Sequence, residues 1–431
     1  MCRSLSGMDT TSGQPAGDPT REHGAGPVSP PEPALTPPPR LLLLDVLRGV
    51  AILGTLAMNI HSFDLSSGEG NQWVHDARIV LVSGSFYSLL ALMFGVGLAV
   101  QFRSARASGR RWPGKQPWRA VLLLVEGTLH VVLVFALDVL MGYAVAALLV
   151  IWLLGRSQRV RTVVMWSAFA IHLALMAFTV VVQALLAPTP REGSASPPVD
   201  DHFSVLFRDG AYLDQVAYRL TNFLSTRGEV LSTLPMVVFL FLLGVRLYRA
   251  GVFDDDDAGR RIRDRMMAWG FGLGLPLNIL ASQVDPLGQA ARYLFPIVLI
   301  FGYIGLAGWL LRWARPSGQI IRSLQAVGLT ALTCYILQNV LASWLFYGWG
   351  AGLGQHLEER GIHGLTLDAY LFGAWLGVSV LLVAGSRLWL RNFRRGPIEA
   401  VGARLIDLVP QRSFRSPDRS KPNGHPPGHP T

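Results

Sequence analysis

Glu126 and His130 stand four residues apart in an apolar run, so on a helix they share one face, and Asp138 follows where that run ends. A neutral imidazole can take a proton from a hydroxyl or an amine near physiological pH, and a neighbouring carboxylate fixes its tautomer and raises its basicity. The same histidine would serve equally as a hydrogen-bonding link between helices. A second polar set, Asp45, Arg48, Asn59 and His61, lies in the first apolar run. At 100° per residue Asp45, Arg48 and Asn59 fall within roughly 60° of one another, with about 16 Å along the axis from Arg48 to Asn59. Asp45 and Arg48 would pair locally and snorkel, or hold the charge of a ligand. An ionisable group at mid-membrane costs about 2.5–3.5 kcal/mol, so each needs a partner or a job. Arg48 and Glu126 sit at similar depth and are expected to pair across helices, sharing one sheltered interior with His130. Later runs carry Asn278, Gln283, Gln338 and Asn339. Amides commonly hold membrane helices together. The adjacent Gln338 and Asn339 cannot both face the same neighbour, so with Asn278 they are taken as candidate substrate contacts.

These residues need helices to place them. The chain has 431 residues, 51% hydrophobic and 15% charged. Apolar segments repeatedly approach or exceed the roughly 18–20 residues that cross hydrocarbon. Ten helices are expected, at about 41–61, 79–101, 119–137, 139–155, 161–187, 231–248, 267–283, 292–312, 324–347 and 368–390. The fold class is therefore all-α, a polytopic transmembrane bundle. The second, fourth, sixth and eighth loops hold eighteen Lys and Arg, the five others seven over greater length. Cytoplasmic loops carry the excess of basic residues, so both termini are expected in the cytoplasm and the chain in the cell (inner or plasma) membrane.

Residues 1–40, rich in Pro, Gly and Ser, are expected to be a disordered cytoplasmic tail without a signal peptide, as is 401–431, leaving 41–400 as the membrane domain. The loop 188–230 opens with a Pro/Ser/Gly spacer and continues from Tyr212 to Leu220 with helical rhythm, as an amphipathic helix that would cap a cavity. The net charge of +10 lies in short arginine clusters between apolar runs, which argues against a nucleic-acid partner. Cys2 and Cys334 make neither a disulfide nor a metal site. The run Asp254 to Asp257 lacks the ligand spacing of a cation loop and reads as solvated. His425 and His429 would bind metal only adventitiously. The glycines around Gly95 and Gly270 follow no strand and serve close helix packing, not phosphate binding.

The segment Leu44-Asp45-Val46-Leu47-Arg48-Gly49 with Asn59-Ile60 resembles the opening motif of the YeiB-like bacterial membrane family, domain of unknown function 418. Phe86 to Gly97, Glu126-Gly127-Thr128-Leu129-His130, Asp138 to Ala144, Ala331 to Gln338 and Gly396-Pro397-Ile398-Glu399 resemble its further motifs, so the similarity covers about 41–400. The first-helix motif and the intramembrane histidine are also similar to those of membrane acyltransferases, including the lysosomal heparan glucosaminide acetyltransferase and bacterial polysaccharide O-acyltransferases. That resemblance implies transfer from a cytoplasmic acyl-CoA-type co-substrate, with no tightly bound cofactor, to a hydroxyl or amine acceptor of unknown identity. His130 would be base or acyl carrier, with Glu126 beside it. Arg48, flanked by Asp45 and Asn59, would bind the donor, and Asp138 would orient the histidine or the acceptor. The pattern departs just before Asp138, where Ala136-Leu137 replaces a more polar turn.

Three readings stay open: acyl transfer, secondary transport along Arg48, Glu126 and His130, and a non-catalytic scaffold or sensor. Transporters often carry inverted repeats, and no convincing repeat joins the two five-helix halves. Oligomeric state is not legible.

Overall fold

Apolar runs of this length in lipid must satisfy their own backbone polar groups, and helices do so within one segment. The computed structural model describes residues 42–186, 201–284, 287–313 and 318–409; apart from one bridge between Gly70 and Gly364, their regular structure is helical. The first half holds α1 (Leu42–Phe63), α2 (Gln72–Leu81), α3 (Ser85–Ala107), α4 (Gln116–Leu133), α5 (Leu140–Leu154), α6 (Gln158–Leu186), α7 (Asp201–Asp209) and α8 (Tyr212–Thr221). A short 3-10 turn at Ser225–Arg227 leads into α9 (Gly228–Arg249), then α10 (Asp257–Ser282), α11 (Gly288–Tyr293) and α12 (Pro296–Trp313). The chain finishes with α13 (Gln319–Leu329), α14 (Ala331–Phe346), α15 (Leu353–Glu359), α16 (Gly364–Asn392) and α17 (Pro397–Asp407).

All ten expected apolar segments fall on helices. Among the described residues six spans are long and apolar enough to cross a membrane: α1, α2 with α3, α6, α9 with its preceding turn, α11 with α12, and α16. The segment expected at 324–347 is broken: α13 and α14 meet at a 90° bend at Thr330. The 15 residues of α5 reach only about 22 Å, and this helix is buried on most sides, as an almost uniformly apolar helix should be. In α6 and α16 apolar side chains such as Phe178, Val181, Phe372 and Val380 point outward, the pattern of a lipid-facing surface. The chain is an integral membrane protein.

Close helix contact rests on glycine, as expected around Gly95 and Gly270. A Cβ on Gly95 would lie 2.1 Å from the Phe241 carbonyl oxygen, and one on Gly244 would lie 2.2 Å from that of Leu92, so α3 and α9 touch backbone to backbone. Gly270 meets Gly302 the same way between α10 and α12.

The break at Thr330 leaves amide groups unpaired at the start of α14. The Glu399 carboxylate of α17 accepts from the Leu332 and Thr333 amides at 2.9 and 3.2 Å, a negative group where a helix N-terminus favours one. The helical chain thus runs on to Asp407, past the expected boundary at 400, because α17 supplies this cap and packs on α4. Residues 1–40, the spacer 188–198, His425 and His429 lie outside the described residues.

Candidate functional site

The site starts where α4 ends. Its last carbonyls have no intrahelical partner and need donors. Arg219, buried on α8, donates to the carbonyls of Val132, Val134 and Leu133 at 2.9, 3.0 and 3.3 Å. Tyr212 of the same helix also donates to Leu133, and Arg227 donates to Ala136. The amphipathic helix expected at 212–220 is therefore α8, and it clamps the end of α4 and the turn after it. That turn brings Asp138 back against His130.

His130 and Asp138, 3% and 1% exposed, place Nδ1 and Oδ1 3.0 Å apart. The oxygen lies off the line of the ring N–H, so the contact is an electrostatic pair and not a linear hydrogen bond. The carboxylate is held from two further sides: the Tyr335 hydroxyl donates to Oδ1 at 3.1 Å and the Met141 amide to Oδ2 at 3.3 Å. Tyr335 in turn accepts from the Val139 amide at 3.3 Å. On the other edge of the ring, Asn339 Nδ2 donates to His130 Nε2 at 3.2 Å, and Asn339 Oδ1 accepts from Asn59 Nδ2 at 3.0 Å. Donors and acceptors alternate along this chain, so Nε2 is an acceptor and the ring proton sits on Nδ1, toward Asp138.

Asp138, Tyr335 and Asn59 open onto a cavity of about 80 Å³ at the arginine-poor ends of the helices. A water takes about 30 Å³ of liquid, so this volume holds two or three waters or one small functional group. The far wall carries Glu229, Arg292 and Tyr293: Arg292 Nη2 stands 3.2 Å from the Glu229 carboxylate, which also accepts from the Tyr293 hydroxyl. His130 and Asn339 stand behind Asp138 and do not line the wall. Asp138 lines the cavity with its carboxylate buried in the wall and the imidazole behind it.

Other candidates lie elsewhere. Arg48 pairs with Asp45 at 3.4 Å, and among the described residues no ion pair joins it to Glu126. Glu126 instead comes near Gly402 of α17, where a Cβ would lie 3.8 Å from its Oε1. The expected trio of Arg48, Glu126 and His130 therefore does not form one network. Arg48 contacts follow α1 and α3, whereas Glu126 looks toward a helix that lay beyond the expected domain. Gln338 is fully buried with its amide unpaired, and Asn278 donates to Gly274 of its own helix at 2.8 Å; neither lines the cavity. His61 contacts the Ala57 carbonyl. Asp256 caps α10 through the Gly259 amide, while Asp255 and Asp257 pair with Arg260, so the aspartate run is cap and ion pairs. No cluster of three metal-ligating side chains occurs among the described residues. A larger groove of about 580 Å³ between α14 and α16 carries no carboxylate, imidazole or guanidinium. Tyr335, Glu229, Arg292, Tyr293 and Arg219 were not singled out from sequence; only Arg219, in the 212–220 rhythm, left a signal there.

A helical membrane bundle holding a buried carboxylate and imidazole beside a small polar cavity is the class this fold and site define. The family described as Protein of unknown function (DUF418) matches residues 247–407. Uncharacterized protein YxaH of Bacillus subtilis (strain 168) is 26% identical over 391 residues, covering 84% of this chain and 92% of the relative. Uncharacterized protein YeiB of Escherichia coli (strain K12) is 27% identical over 388 residues, covering 84% and 94%. The chain is thus similar along most of its length to these two uncharacterised proteins, and its segment 247–407 matches the DUF418 family.

Proposed function

We propose that this protein is a multi-pass acyltransferase of the cell (inner or plasma) membrane, acting on a hydroxyl or amine that enters the cavity from the arginine-poor face. One observation carries the reading: Asp138 and Tyr335, hydrogen-bonded to each other, line that cavity while His130 stands behind the carboxylate. As the acceptor oxygen or nitrogen attacks the thioester carbonyl carbon, its proton passes to the Asp138 carboxylate. The carbon–sulfur bond breaks, and the proton held by Asp138 is returned to the leaving thiolate, which departs as the thiol and restores the carboxylate. The Nδ1–H of His130 steadies the carboxylate between turnovers. Arg48, about 16 Å away along α1, meets the negative charge of an acyl-CoA-type donor on the opposite face. His130 acts through Asp138, because Asn339 occupies its Nε2.

A second reading, secondary transport, draws on the 90° break between α13 and α14, since broken helices frame many transporter sites. Full-length protein in vesicles of bacterial lipid, given radiolabelled acetyl-CoA outside, separates the two. Label appearing on an acceptor, lost in Asp138→Asn and reduced in His130→Ala, supports acyl transfer. Equal labelling by Asp138→Asn rejects it, and solute uptake without label transfer moves the assignment to transport.

A further inference from the structure

Three guanidinium groups meet at the opposite, arginine-rich end of the bundle. Arg161 lies in the first turn of α6, and Arg246 and Arg249 lie in the last turn of α9. They rim a cavity of about 360 Å³ with Met165, Leu242 and Val245 among its walls. None of the three has a carboxylate partner among the described residues. Arg249 instead shares one aromatic ring with another cation: its guanidinium carbon is 5.9 Å from the Phe102 centroid and that of Arg106 is 5.1 Å away. Like charges gathered without a counter-charge repel, and an anion among them removes that cost. The N-terminus of α6 adds partial positive charge on the same side. Arg161 is fixed by donating to the Leu154 and Arg156 carbonyls at 3.1 and 2.7 Å, so the rim is preorganised.

The apolar residues say what kind of anion. Met165 follows Arg161 by four, Leu242 precedes Arg246 by four and Val245 precedes Arg249 by four. Each arginine thus has an apolar side chain one turn deeper on its own helix face, toward the bilayer interior. A soluble phosphate would use the rim alone; a phospholipid uses both levels. We propose that this pocket binds the phosphate of an acidic phospholipid from the arginine-side leaflet, with its acyl chains over Met165, Leu242 and Val245.

The test uses full-length protein in detergent, offered equal amounts of phosphatidylglycerol and phosphatidylcholine, with bound lipid counted by native mass spectrometry. Phosphatidylglycerol is retained preferentially. Each interfacial arginine contributes about fivefold in affinity, so the double variant Arg246→Gln/Arg249→Gln lowers phosphatidylglycerol affinity roughly thirty-fold. Among the described residues neither side chain makes a hydrogen bond, and the charge-matched pair Arg110→Gln/Arg111→Gln, exposed between α3 and α4, shifts affinity less than twofold. No preference for phosphatidylglycerol overturns the proposal, and so does an equal loss in both double variants. Displacement of the lipid by equimolar inorganic phosphate would also overturn it, because the site would then read soluble phosphate.

Discussion

Replacing Asp138 by alanine and by asparagine separates the carboxylate's structural share from its chemical one. Alanine leaves the buried Tyr335 hydroxyl and the Met141 amide without their acceptor and removes the carboxylate that faces His130 Nδ1. An orphaned buried donor costs about 1–3 kcal/mol. Two features reduce that. The Met141 bond is long at 3.3 Å, and the adjoining cavity of about 80 Å³ lets a water replace part of what is lost. The net expectation for Asp138→Ala is a loss of about 2–4 kcal/mol. Asparagine keeps an oxygen at the Oδ1 position, where the Tyr335 hydroxyl donates and His130 Nδ1 stands 3.0 Å away, and gives up only the weak Met141 bond, a loss of about 1 kcal/mol. Reversible unfolding in mixed micelles by a denaturing detergent, followed by tryptophan fluorescence, measures both. Transfer activity should vanish in both variants alike. If alanine costs no more than asparagine, Tyr335 and His130 do not depend on Asp138 and the network is misassigned.

Arg219→Gln strips charged hydrogen bonds from three carbonyls at the end of α4 and should lower stability by about 2–4 kcal/mol in the same assay, with Tyr212 retaining its bond to Leu133; an unchanged midpoint would show that water closes this helix end equally well. Gly95→Ala sets a methyl 2.1 Å from the Phe241 carbonyl oxygen and should cost about 1–3 kcal/mol by pushing α3 from α9, read as a lower melting temperature. Glu358 on α15 accepts from the Ser67 amide at 2.6 Å, and that bond, with Arg208 3.3 Å away, holds its pKa below the ordinary value. A depressed carboxylate stabilises the fold above its unfolded pKa of about 4.3, and the contribution is lost as pH falls through the lower folded value. The melting advantage of the native chain over Glu358→Gln should therefore be full at pH 6 and close on acidifying below roughly pH 4.3; a pH-independent gap would show that the strap between Ser67 and α15 is not electrostatic.

The long spans were legible because lipid allows few alternatives to an apolar helix. The short amphipathic pieces were not: α2, α15 and α17 mix polar and apolar residues within 7 to 11 positions and take their helical form from packing on the bundle. In the site, Asn59, His130, Asp138 and Asn339 were visible as polar residues in apolar surroundings, where shelter is obligatory. Tyr335 was not, since a tyrosine in an apolar helix raises no alarm until its hydroxyl is seen to point at a carboxylate. The expected pairing of Arg48 with Glu126 failed because equal depth fixes only one coordinate. Which neighbour each helix turns toward is decided by packing, and Glu126 turns toward α17. By sequence Arg219 and Arg227 lie in a loop segment, yet in the fold they stand in for missing helix hydrogen bonds.

The hydrogen-bond chain places the ring proton of His130 on Nδ1, between Asp138 and Asn339. Nitrogen-15 NMR of histidine-labelled protein, with the His130→Ala spectrum subtracted to isolate this ring, reads the tautomer directly. The donor pattern from Asn59 through Asn339 gives a protonated Nδ1 and a bare, hydrogen-bonded Nε2 at pH 7. A proton found on Nε2, or a ring signal averaging with water as an exposed imidazole does, would contradict it.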